Sequence, residues 1–262
     1  MTDPILTRQD EDGVAILTLN TPASLNALSD AMIAALTAQF TALASDRRTR
    51  VVILRGEGRA FCAGHDLKEM QAARAAPDKG AAHFKSLFDR CAAMMQMIPA
   101  LPQPVIAQTH GIATAAGCQL AASCDLVTAA TGTRFGVNGV NIGLFCSTPM
   151  VALTRKVPPA VAFEMLTTGD FLTAERARDA GLVNRVFPPE TLDAETRALA
   201  LQIAGKLTAA VKIGKRTFYD QIGLPLDQAY AQAGAAMVEN TLYRDTAEGI
   251  AAFLEKRKPD WA

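Results

Sequence analysis

A chain of 262 residues has room for one large domain, or for one domain with an appendage. Half of the residues are hydrophobic and a fifth are charged, with 26 basic against 26 acidic side chains. That balance leaves no global field to recruit nucleic acid or an anionic membrane surface. The five cysteines form no CxxC pair and no metal-type spacing with the three histidines, which argues for buried thiols in a reducing compartment and against a disulfide framework or metal centre.

The opening "MTDPILTRQDEDG" is acidic and lacks the apolar core of a signal peptide, and no apolar run reaches the ~18 residues of a membrane span. A cytoplasmic protein without membrane contact is the expectation. Short β-branched runs then predict strands at Gly13–Asn20, Val51–Gly56 and Pro104–Gly111, with weaker ones at Cys124–Thr131 and Leu182–Phe187. Between them, Leu28 and, within Ser29–Ser45, Met32, Ile33, Leu36, Phe40 and Leu43 stand at helical spacing. Ala81–Ile98 does the same with Phe84, Leu87, Phe88, Cys91, Met94 and Met95. Alternation of this kind predicts an α/β domain with helices packed on sheet faces. After about residue 190 the pattern is helical throughout. Asp245 and Glu248 read as a capping box, with Lys256, Arg257 and Lys258 in the last turn before Pro259.

Two stretches carry chemistry. "AFCAGHDLKEM" (Ala60–Met70) follows the second strand, and "HGIATAAGCQLAASCD" (His110–Asp125) reads as a strand end, a tight small-residue turn and a helix. Small residues let a backbone approach a ligand, so the turn suits a site working through N–H groups. Together with "RFGVNGVNIGL", "LTTGDFLTAERARDAGLVNRV" and "FLEKRKP", these stretches resemble the crotonase (enoyl-CoA hydratase/isomerase) family over nearly the whole chain.

The resemblance implies a spiral of ββα units over 1–195, carrying the CoA-binding and oxyanion-hole loops, and a helical oligomerisation region over 196–262. It implies a homotrimer or dimer of trimers, a coenzyme A thioester as substrate, and no permanently bound cofactor or metal. The backbone N–H groups of His65 and Ala116 would hold the thioester carbonyl; Ala27, Ala63, Gly64, Asp66, Leu67, Gly117, Asn141 and Lys256 would contact the ligand. Enolate formation next to a thioester places negative charge on that oxygen, and two fixed donors stabilise it, each contributing roughly 10²–10³ in rate.

The departures matter as much. The family's hydratases use two glutamates; here their positions fall on Gln119 and Gly139. An amide cannot accept a proton near neutral pH and glycine has no side chain, so general acid–base assistance of ~10²–10⁴ is lost and efficient water addition is not expected. Asn138 and Asn141 can orient water but not act as bases. His65 is the leading replacement, since some acyl-CoA decarboxylases of the family carry "GHD" here; the alternative is a histidine that supplies only its N–H. His83 is a weaker candidate in the acyl-pocket helix, and His110 reads as structural. "GLFCSTP" (Gly143–Pro149), with Cys146 and Ser147, is expected to shape the acyl end, and Asp66 to cap its loop. Met94, Met95 and Met97 read as core. A non-catalytic acyl-CoA-binding subunit is the remaining alternative.

Overall fold

The computed structural model describes residues 3–261. Its first surprise is the acidic N-terminal stretch. Leu6–Glu11 forms β1 and pairs antiparallel with β2 (Val14–Leu19). Asp12 and Gly13, both at positive φ, close the hairpin. An Asp-Gly pair is the residue choice that a two-residue hairpin turn demands. β1 was missed because it is a polar edge strand with its last residues exposed, so it lacks the apolar run that marks β2.

Ser29 accepts a hydrogen bond from Met32 N and starts α1 (Asp30–Ser45), with Met32, Ile33, Leu36, Phe40 and Leu43 buried on it and Leu28 falling just before the cap. β3 (Val51–Gly56) follows as predicted, then the short α2 (Leu67–Ala73) and the long α3 (Ala81–Ala100). In α3, Met94 and Met95 are core and Met97 packs against it. β4 (Val105–Thr109) ends where His110–Gly111 turns the chain into β5 (Ile112–Thr114) and α4 (Ala116–Ser123). β6 (Leu126–Ala130), β7 (Arg134–Gly136), α5 (Pro149–Leu153), α6 (Pro159–Thr168), β8 (Leu172–Thr173) and α7 (Ala174–Asp179) come next. β9 spans only Arg185–Phe187, because Leu182 N and Val183 N are both drawn to Ala177 O at the end of α7. Four helices close the chain: α8 (Leu192–Ala204), α9 (Thr208–Gln221), α10 (Leu226–Thr241) and α11 (Arg244–Leu254).

The strands form two mixed sheets. One has the order β1-β2-β3-β4-β6-β9, parallel after its first pair; the other has the order β5-β7-β8. Strand periodicity sends alternate residues to opposite faces. Val52 and Leu54 join the main core with α1, α3 and α4, whereas Val51 and Ile53 meet Leu199, Ala200 and Ala204 of α8. Positions 195 and 196 both lie within α8.

α9 is pinned to the core by a buried ion pair. Lys215 Nζ lies 2.7 Å from Asp125 Oδ2 and donates to Ile98 O and Gln103 O. Asp125 also accepts from Tyr219 Oη at 2.7 Å and from Val105 N at 2.6 Å.

The C-terminus departs from expectation. Tyr243, not Asp245, occupies the N-cap of α11 and makes no side-chain cap. Glu248 is taken instead by Arg257, through two N–H···O contacts of 2.6 and 2.9 Å, and by Asp260 N. Lys256, Arg257 and Lys258 lie past the helix end, with Lys256 at φ 56°. Among the described residues, no helix is long and apolar enough to cross a membrane, and no cluster of three or more His, Cys, Asp or Glu could hold a metal ion.

Candidate functional site

The two chemistry-bearing stretches meet where β5 and the loop after β3 run side by side. Cys62 N donates to Ile112 O and Thr114 N to Cys62 O, a short parallel pairing that continues into the turn before α4. Two glycines let the backbones touch. At Gly117 any Cβ would overlap the carbonyl of Cys62. Gly64, at φ 91°, lies so close that a Cβ would stand 3.0 Å from Ala115 Cβ and 3.2 Å from Ala116 N. The His65 and Ala116 peptides therefore lie beside one another.

Ala115 is the strained residue of this turn, with φ 49° and ψ −121° and its N–H given to Gly136 O. Backbone strain of about 1–3 kcal/mol persists only where the surroundings over-determine it. Ala116 N follows directly, at the first position of α4. Among the described residues, neither His65 N nor Ala116 N has a backbone acceptor. Leu28 N donates to Gly64 O, which brings Ala27 alongside the same loop.

A cavity of about 380 Å³ opens in front of these peptides. Its walls are mostly apolar: Leu67, Met70, Phe88, Ile142, Leu144 and Phe145. Of the ligand-contact candidates, Ala63, Leu67 and Asn141 line it together with His65 and Gly139. Ala116 and Gly117 lie just behind Ala115. Gln119 is buried one turn into α4, outside the cavity wall, and its Oε1 has no partner. Asp66 caps α2, accepting from Lys68 N at 2.8 Å and from Glu69 N. Lys256 is exposed beyond α11 and is not a lining residue.

His65 presents an unusual ring. It lines the cavity edge-on to Phe88, 5.6 Å between centroids, and neither ring nitrogen has a hydrogen-bond partner. Burial pushes its pKa below the usual histidine value, opposed more weakly by the Leu28 carbonyl and the Asp30 charge. The neutral imidazole is thus the state held at neutral pH. His83 does not line the cavity; its ring packs against Phe84. His110 Nε2 binds Gly58 O at 2.8 Å, a loop-holding role.

Gly139 sits in a 3-10 turn spanning Asn138–Ile142, where Thr114 Oγ1 donates to Asn138 Oδ1 at 2.6 Å. A Cβ at Gly139 would overlap Leu144 O and stand 2.9 Å from Cys146 Sγ. The segment Gly143–Pro149 folds over this position and contributes six of the lining residues, Leu144 to Pro149. Sequence reasoning expected that loop to shape the cavity but missed Met70, Phe88 and Thr114. Only Phe88 carried a usable signal, as an apolar residue on the predicted pocket helix.

The enoyl-CoA hydratase/isomerase family profile matches residues 9–262. The chain is 45% identical over 258 residues to enoyl-CoA hydratase domain-containing protein 3, mitochondrial, of Xenopus laevis, covering 98% of this chain and 86% of that protein. The crystal structure of an enoyl-CoA hydratase from Mycobacterium smegmatis superposes with a TM-score of 0.95 at 52% identity, covering 99% of each chain. That of human enoyl Coenzyme A hydratase domain-containing protein 3 gives 0.93 at 42%, covering 98% of this chain and 100% of the other.

Proposed function

Because the chain belongs to the enoyl-CoA hydratase/isomerase family and has its α/β crotonase fold, we propose that it binds acyl-CoA thioesters and stabilises an enolate-like state. The thioester carbonyl oxygen sits between the N–H groups of His65 and Ala116. The observation that carries this reading is the pair of neighbouring donors without backbone acceptors, forced together by Gly64 and opening onto an apolar cavity. When charge moves onto the carbonyl oxygen, both donors already point at it, and the helix dipole of α4 adds partial positive charge at Ala116. The apolar walls then hold the acyl chain. Ala27, Ala63, Gly64, Asp66, Leu67, Gly117 and Asn141 surround the thioester, and Lys256 meets the CoA phosphates, within a subunit or from a neighbour.

Water addition is not the efficient reaction of this site. Among the described residues no carboxylate lines the cavity, Gln119 cannot act as a base, and Gly139 has no room for a side chain. A second reading, decarboxylation of a malonyl-type thioester beside His65, is favoured by the unpartnered ring in the cavity. The exposed apolar residues of the helical C-terminal region, among them Leu226, Tyr230, Met237, Leu242 and Phe253, support assembly as a trimer or dimer of trimers.

The test is calorimetric titration with crotonyl-CoA and hexanoyl-CoA, together with the steady-state hydration rate of crotonyl-CoA in the same preparation. Binding with slow hydration is expected. Fast hydration would overturn the missing-base argument, absence of binding would overturn the reading, and carbon dioxide release from malonyl-CoA that is lost in His65→Ala would establish the second one.

A further inference from the structure

A proton that the protein itself gives or takes inside the cavity needs a titratable group on the wall. Among the described residues, no Asp, Glu, Lys, Arg or Tyr lines the cavity. The titratable side chains are His65 and Cys146. Cys146 is not an arbitrary wall thiol. Its sulfur stands 2.9 Å from the point where a Cβ at Gly139 would begin, the position that the family resemblance assigns to the second acid. The other four cysteines, buried as Cys146 is, do not line the cavity.

We propose that Cys146 is the proton donor to the enolate, with His65 as its partner base. This rests on the enolate reading above. The two groups are perturbed in opposite senses: burial pushes the Cys146 thiol up, with a weaker opposing effect from Gly139 N–H, and pushes the His65 imidazolium down. A thiol that stays protonated and an imidazole that stays neutral are an acid and a base at the same pH. A neutral ring nitrogen of His65 takes the proton from the carbon next to the thioester. The C–H electron pair becomes the enolate π bond, and the carbonyl π pair moves to the oxygen held by the two N–H groups. The enolate π pair then takes the thiol proton of Cys146, leaving thiolate. Solvent carries the imidazolium proton back to the thiolate, so both groups return to their starting states.

The experiment is deuterium incorporation at the α-carbon of butyryl-CoA in D₂O, followed by mass spectrometry of the thioester. Wild type, Cys146→Ser and Cys146→Ala are compared, with binding measured for each. The wild type exchanges, and Cys146→Ala falls about 10²-fold or more, the usual scale of acid–base assistance, while butyryl-CoA affinity stays within about threefold. Should Cys146→Ala fold poorly, the near-isosteric Cys146→Ser, whose hydroxyl is a far weaker acid than a thiol, gives the same comparison. Exchange by the variants at the wild-type rate would overturn the role of Cys146 and leave the enolate reading standing. Binding without exchange in the wild type would overturn both.

Discussion

Cys146 Sγ fills the space into which a side chain at Gly139 would grow. If Gly139 is the position of a hydratase's second acid, as the family resemblance implies, the Gly143–Pro149 segment occupies the room that acid would need.

Restoring a carboxylate there should fail for that reason. Gly139→Glu must displace Leu144 O as well as Cys146 Sγ. Overpacking of this kind typically costs about 1–3 kcal/mol. The expected outcome is a lower denaturation midpoint and no gain in crotonyl-CoA hydration; a rise of tenfold or more would show that the segment yields readily.

The His65 ring imposes a pH dependence on stability. Its folded pKa lies below the ordinary 6.5, so between the two values the unfolded chain binds a proton that the folded chain refuses. Stability should therefore fall as the pH drops through about 6.5, and the slope should vanish below the folded pKa. Denaturant midpoints of wild type and His65→Asn between pH 5 and 8 test this. An identical slope in the two proteins would assign the effect elsewhere.

Ala115 holds a conformation that glycine adopts more readily, with φ 49° and ψ −121°. Ala115→Gly trades strain of about 1–3 kcal/mol against a glycine entropy cost of roughly 0.5–1 kcal/mol. Thermal stability should hold or rise, while acyl-CoA binding weakens because the Ala116 N–H is less rigidly aimed. Destabilisation by more than about 1 kcal/mol would mean that the turn stores no strain.

The Lys215–Asp125 pair ties α9 to the sheet. Removing one partner of a buried pair costs about 3–5 kcal/mol, because the other charge is left without its counterion. Lys215→Met should show a loss of that order, and hydrogen exchange should accelerate first in α9. A neutral result would mean that Val105 N and Tyr219 Oη alone satisfy Asp125.

Much of the scaffold was legible along the chain because its causes are local. The continuous apolar run "VVIL" built a strand buried on both faces, Ser29 capped α1, and the spacing of apolar residues set that helix's buried side. The small residues around Ala116, and the lack of a carboxyl group at Gln119 and Gly139, were also readable, since residue type alone decides whether a backbone can approach or a proton can be taken. β1 and the C-terminal turn were not. A polar edge strand carries no apolar run, and Glu248 prefers the bidentate Arg257 guanidinium to a cap on its own helix.

The site itself divides the same way. Sequence determined which groups were available: two candidate peptides, a histidine, an amide and a glycine where acids were expected. Tertiary structure decided how they stand: the closeness of Gly64 to Ala116, the unpartnered ring of His65, and the placement of Cys146 over Gly139. Those relations join residues far apart in the chain through close packing of backbone and side chains, and no periodicity or local propensity encodes a contact of that kind.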